Sequence, residues 1–342
     1  MRRVALAALA AAMLMACGAD ASNPPSNART AVASNPPSDG RTLAPSDALR
    51  TAAPLVPLAP AQPGAPVRFD SARAWEHLRR QVAFGPRPSG SAALAECRRY
   101  ILAELKAAGI DAREQPFEAM TPAGAIQMTN VIATIPGRRP DRIVLATHYD
   151  SKRFREFAFV GASDGASSTA AVLELARVLR AGQREYTVEL LFLDGEEAVN
   201  TEWRDPDNTY GSKYYVRAAR QAGTLAGLKA LVLLDMVGDR NLDIRRDANS
   251  TRWLTDIVWS SAARLGYSST FIDEAFAVED DHLPFLQAGI TAVDVIDLDY
   301  PQWHTAQDDL DHVSARSLQT VGEVVLDALP RIETQLSAAA PR

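Results

Sequence analysis

Six acids and imidazoles of this 342-residue chain stand where they could hold a metal ion and move a proton: His148, Asp164, Glu196, Glu197, Asp235 and His304. Each sits at or soon after the end of an apolar run, or in the loop that follows one. RIVLAT (142–147) leads into His148-Tyr149-Asp150, and a loop then carries Gly161-Ala162-Ser163-Asp164. YTVELLFL (186–193) ends in Asp194-Gly195-Glu196-Glu197, LKALVLL (228–234) ends in Asp235, and TAVDVI (291–296) leads to Trp303-His304. Two adjacent glutamates at the end of a buried strand repel each other, and a half-dry pocket penalises both charges. A metal ion removes that penalty. Imidazole and carboxylate donors without a thiolate suit zinc in an open catalytic site, where three protein groups leave one position for water or substrate. Such an ion acts as a Lewis acid on a carbonyl. The plainer reading of any one of these residues is a polar turn or a helix cap. Four strand ends and one loop that deliver the same chemistry to one rim argue against turns alone.

The elements that must position this rim alternate along the chain. Apolar spacing predicts helices over 71–83, 91–108, 165–179, 210–222, 252–265, 282–288 and 314–336. Strands are predicted over 111–117, 127–135, 142–147, 186–193, 228–234 and 291–296. The run at 186–193 is nearly continuous in apolar residues, the pattern of a strand covered on both faces by helices. The expected fold is a three-layer α/β/α sandwich with a central mixed, mostly parallel sheet and antiparallel edge strands. Ligands of open α/β sheets gather outside the carboxyl ends of the strands.

Ahead of this domain, Arg2 and Arg3 precede an apolar run from Val4 to Ala16 that reads as a signal peptide, too short to span a bilayer. Residues 17–66 are rich in Ala, Ser, Pro and Asn, with SNPPSNART at 22–30 nearly repeated as SNPPSDGRT at 34–42. That composition cannot bury enough apolar surface to offset chain entropy, so a disordered tether is expected. Residues 67–342 remain for one catalytic α/β domain of about 275 residues, ample for a large core. The formal charge is −6 without a basic cluster, which argues against nucleic acid as a partner. The two cysteines are Cys17 and Cys97, so the stability of the domain must come from packing rather than a disulfide.

The motifs also carry a family resemblance. His148-Tyr149-Asp150-Ser151-Lys152, Phe159-Val160-Gly161-Ala162-Ser163-Asp164, Asp194-Gly195-Glu196-Glu197-Ala198, Glu279-Asp280-Asp281-His282-Leu283-Pro284-Phe285 and Trp303-His304-Thr305 resemble those of the zinc aminopeptidase superfamily. Within it, Lys152, the double aspartate before His282 and the Trp before His304 resemble the animal-type glutaminyl-peptide cyclotransferases. The stretch Leu14-Met15-Ala16-Cys17 likewise resembles a bacterial lipoprotein box. That implies a lipid anchor on Cys17, export, and a place in the periplasm or cell envelope; an ordinary cleavage site nearby is the alternative.

The cyclase resemblance implies one zinc ion per chain on Asp164, Glu197 and His304, with Glu196 as general acid/base. Asp235 and Asp280 complete the proton network, and Trp203 and Trp303 wall the pocket. The implied substrate is a peptide or protein with N-terminal glutamine, cyclised to pyroglutamate with release of ammonia. The competing expectation is a two-zinc aminopeptidase with His148 and Asp235 as further ligands, and metal count separates the two. A non-catalytic module on the same fold is a third, but such relatives tend to lose ligands or the base, and none is lost here. Oligomeric state is left open.

Other conspicuous side chains have plainer readings. His282 is expected as a structural hydrogen bonder, His77 and His312 as solvated residues, Trp253 and Trp259 as packing, and Cys97 as a small core side chain. Trp203, among Glu202, Arg204, Asp205 and Asp207, is expected to be exposed and to bind something. The chain departs from the animal cyclases at Asp294, where a histidine is usual, and at Thr147 and Thr169, which stand for a cysteine pair.

Overall fold

The computed structural model describes residues 67–339. The signal-peptide, tether and Cys17 readings lie outside the described residues. Asp70 opens the first helix, α1 (Ser71–Ala83), by accepting from the backbone N–H groups of Ala72 and Arg73, which satisfies donors that a helix start leaves free. Ser91 caps α2 (Ala92–Ala107) in the same way.

A hairpin of β1 (Asp111–Thr121) and β2 (Gly124–Ile135) follows, then β3 (Arg139–His148) and, after a kinked turn over 162–167, α3 (Ser168–Arg180). The remaining order is β4 (Tyr186–Leu193), α4 (Tyr210–Gln221), β5 (Leu228–Asp235), β6 (Ile244–Asp247), α5 (Arg252–Leu265), β7 (Phe271–Phe276), α6 (His282–Gln287), β8 (Thr291–Ile296) and α7 (Ala315–Ala339). Six strands form one sheet in the order β1-β2-β4-β3-β5-β8. The pairs β4–β3, β3–β5 and β5–β8 are parallel, and β2 alone runs against its neighbours.

Side chains alternate across a strand, and this alternation divides the core in two. Val131, Ile143, Leu145, Val188, Leu190, Val232 and Val293 pack with helices α1, α2, α3, α5 and α7. Their sequence neighbours Ile132, Val144, Leu191, Leu231 and Ala292 pack with Tyr215 and Val216 of α4 and Phe285 of α6. Three layers result, and the carboxyl ends of β3, β4, β5 and β8 share one rim.

Outside the pocket, the structure departs from the sequence reading in three places. The helix expected from Gly165 begins only at Ser168, because Asp164 (ψ 102°) and Gly165 (φ 83°) leave helical geometry. The short parallel pair β6–β7 was not expected: Ile-Arg-Arg-Asp carries no strand periodicity. His77 is buried rather than solvated, 2.6 Å from the Tyr100 hydroxyl. Cys97 and Trp259 are core residues, and Trp253 packs against the same core. His312 is partly exposed beside Asp309.

Candidate active site

Beyond the end of β3, the chain turns through Tyr149-Asp150 and returns at Gly161 to present Asp164. Arg87, fully buried, fastens this loop by donating to the carbonyls of Tyr149, Val160 and Gly161. Asp308 fastens the other side: its carboxylate accepts from the backbone N–H groups of Ser163 (2.7 Å) and Asp164 (3.1 Å) and from the Tyr300 hydroxyl. Gly165 is required where the loop becomes α3. Its φ is +83°, and a Cβ there would lie 2.7 Å from the Asp150 carbonyl oxygen and 2.9 Å from the His148 ring. This loop brings Asp164 to two imidazoles at once. Its Oδ1 lies 3.2 Å from His148 Nε2, and its Oδ2 lies 3.4 Å from His304 Nε2.

Two nests of donors share Asp164. In the first, Asp164, Glu197 and His304 offer ligand atoms all within 4.8 Å of one another, with His304 Nε2 3.6 Å from Glu197 Oε2. In the second, His148 and Asp235 join Asp164; His148 Nε2 to Asp235 Oδ1 is 3.0 Å. A metal ion fits the first nest on a direct observation: both carboxylate oxygens of Glu197 are buried with no hydrogen-bond partner. A buried carboxylate without donors must take up a proton or a cation, and Asp164 and His304 beside it complete a donor set of the kind a metal ion takes. Lys152, itself buried, stands 3.6 Å from Glu197 Oε2 and donates to the Ala198 carbonyl. His304 has φ +55°, a strained conformation for a non-glycine residue, and is clamped by rings. Trp303 stacks on it at 4.3 Å, and Phe154 and Phe159 meet it edge-on.

The electrostatics follow from burial. Desolvation lifts Glu196 well above the carboxylate range, and Glu197, Asp280 and Asp235 reinforce it against the opposing pull of His148. Burial lifts Glu197 too, with Asp164 next. Burial alone would lower His304, yet Asp164 and Glu197 outweigh it and hold the imidazole up at about 9. A metal ion taking His304 as a ligand would therefore have to displace a proton from it.

Behind Glu196 lies a further buried group. Asp280, His282 and Asp294 have ligand-type atoms within 4.8 Å of one another, and His282 Nε2 is 3.0 Å from Asp247 Oδ2. Burial and then Asp235 push Asp280 up to about 7, and burial and then Asp280 push Asp294 well above its ordinary value. Carboxyls this close and this dry cannot all be charged, so they share protons. His282, expected as a structural hydrogen bonder, lies between Asp247 and Asp294, 3.0 and 3.6 Å away.

Asp164, Glu196, Glu197, Asp235, Asp280 and His304 line one cavity of about 260 Å3, and Trp203 and Trp303 form part of its wall. All eight residues singled out from the sequence as catalytic, metal-binding or pocket-forming thus meet in one place, and His148 joins them through Asp164 and Asp235. Trp203 is half-buried, not exposed, and its indole N–H is buried. The sequence reading did not single out Arg87, Asp308 or Phe154. Asp308 lies four residues past His304, but nothing in its spacing reveals that it braces Asp164.

The fold is thus a doubly covered α/β sheet with a nitrogen–oxygen donor nest and a raised carboxyl at its carboxyl rim. The chain belongs to peptidase family M28, whose model matches residues 130–329. It is 31% identical over 271 residues to a mouse glutaminyl-peptide cyclotransferase-like protein, covering 70% of each chain. The crystal structure of an Acidobacteriales bacterium glutaminyl cyclase matches at 40% identity and TM-score 0.75, over 82% of this chain and all of that one. A leucine aminopeptidase precursor from Bacteroides thetaiotaomicron matches at 29% identity and TM-score 0.71, over 78% of this chain and 98% of its own.

Proposed function

We propose that this protein is a zinc-dependent glutaminyl cyclase, converting the N-terminal glutamine of peptides and proteins to pyroglutamate with release of ammonia. The observation that carries this reading is the pocket: donor nest, raised Glu196 and two indoles line one small cavity, in a chain 40% identical to a structure described as a glutaminyl cyclase. A single zinc ion on Asp164, Glu197 and His304 would supply Lewis-acid polarisation of the substrate γ-carbonyl.

The chain's own residues do the rest. Glu196, held protonatable by its dry, acidic surroundings, takes a proton from the substrate α-amine and returns one to the leaving nitrogen. Asp235 and Asp280 flank it and share the protons that keep this buried acidic patch from full charge. Nucleophile and electrophile belong to one substrate residue, so much of the task is to hold a bent conformer. Trp203 and Trp303 narrow the cavity for that purpose and keep water from the amide.

The second nest supports a second reading, a two-zinc aminopeptidase with His148 and Asp235 on the additional ion. Mass analysis of products from a Gln-initiated peptide, with zinc measured on the same sample, separates the two. Loss of ammonia from an intact chain with about one zinc is the expected result; released N-terminal amino acids with about two zincs would establish the peptidase. The export and lipid-anchor reading of residues 2–17 is part of the proposal. It is tested by acyl labelling of the whole chain and its loss in Cys17→Ser.

A further inference from the structure

Acids outnumber bases along the pocket wall. Of the side chains that line it, Asp164, Glu196, Glu197, Asp235, Glu279 and Asp280 are acids, and no lysine or arginine is among them. Five of these acids are buried at the floor. Glu279 is the exception, exposed to solvent, and no hydrogen bond or ion pair to it exists among the described residues. Its place follows from the extended segment between β7 and α6, where burial alternates: Val278 and Asp280 are buried, and Ala277 and Glu279 are exposed. Asp280 thus faces the floor while Glu279 stands at the mouth. The segment is held in place: Val278 donates its N–H to Asp247, and Asn249 Nδ2 donates to the Val278 carbonyl at 2.8 Å. The floor itself is short of donors, since Asp280 Oδ2 is buried in the same pocket without a partner.

We propose that Glu279 is the carboxylate of a cation subsite, which selects substrates carrying lysine or arginine in the residues directly after the N-terminal glutamine. This inference rests on the cyclase reading for where the peptide lies: glutamine occupies the floor, and the chain leaves through the mouth that Glu279 guards. Glu279 is the one solvent-exposed carboxylate among the lining side chains, so it offers a direct contact to a cationic side chain at one position, and repels an acidic residue there.

The test uses the whole chain with added zinc and three peptides, Gln-Lys-Ala, Gln-Ala-Ala and Gln-Glu-Ala. Binding is read from the fluorescence of the pocket tryptophans and product by mass. At low ionic strength the lysine peptide should exceed the glutamate peptide in kcat/KM and in affinity by about tenfold, a scale set by exchanging one exposed attraction for one repulsion. In Glu279→Gln that ratio should fall toward one, in 0.5 M salt it should shrink, and in Glu279→Lys the order should reverse. The same order persisting in Glu279→Gln, equal handling of all three peptides by the unaltered protein, or binding of none of them overturns the subsite. Charge-ordered binding that Glu279→Gln abolishes, without pyroglutamate from any peptide, would keep the subsite and overturn the cyclase reading instead.

Discussion

At the scale of single residues, adjacent side chains of one type are set in different surroundings. Glu196 and Glu197 are neighbours in sequence, both buried and both raised, yet only Glu197 joins Asp164 and His304 in the donor nest. Glu196 is directed instead toward His148, 3.7 Å away, and the acids behind it. The expected consequence is a split between two variants. Glu196→Gln should keep its zinc and lose about 10²- to 10⁴-fold in turnover, the usual worth of a positioned proton-transfer group. His304→Ala should lose the metal itself. Zinc content beside kcat decides it; a fully active Glu196→Gln, or stoichiometric zinc in His304→Ala, would remove the respective role.

At the scale of elements, the decisive feature is the interruption between β3 and α3. An unbroken helix from Gly165 would carry Asp164 away from His148 and His304; the turn over 162–167 holds it between them, braced by Arg87 and Asp308. Gly165 cannot be replaced cheaply. In Gly165→Ala the positive φ costs roughly 1–2 kcal/mol, and the approach to the Asp150 carbonyl and the His148 ring adds to it. We expect a loss of at least ~2 kcal/mol in denaturant unfolding, with zinc affinity reduced in step because the displaced atoms belong to the site. Unchanged stability would show that the loop relaxes freely.

At the scale of the whole molecule, the core holds groups that do not line the pocket, and one of them makes stability depend on acid. Burial, and then Arg73, push His77 down from its ordinary 6.5 to about 4. Between those values the unfolded chain takes a proton that the native state refuses. Its contribution is therefore intact above pH 6.5 and is lost as the pH falls toward 4, a change of about 3 kcal/mol. The unfolding free energy of His77→Gln should fall less steeply over the same interval. An equal slope in the two proteins would mean that His77 does not titrate on unfolding.

Much of the domain was legible in the sequence because local pattern and burial agree there. The runs at 186–193, 252–265 and 291–296 became elements with those same limits, since apolar period and flanking breakers leave little choice. The donors were legible for a related reason: a strand in a doubly covered sheet is apolar until its end, so the first acid or imidazole after it marks the rim. What the sequence could not carry was anything set between distant segments. The isolation of His77 depends on Tyr100 and a core closed by other helices, and β6 pairs with β7 without a period of its own. The bracing of Asp164 by Asp308 spans more than 140 residues, and the sharing of protons among Asp280, Asp294 and Asp235 joins three separate segments. Side-chain type and local period are encoded residue by residue. Which buried charges share a pocket, and so which keep their protons, exists only once the chain has closed around them.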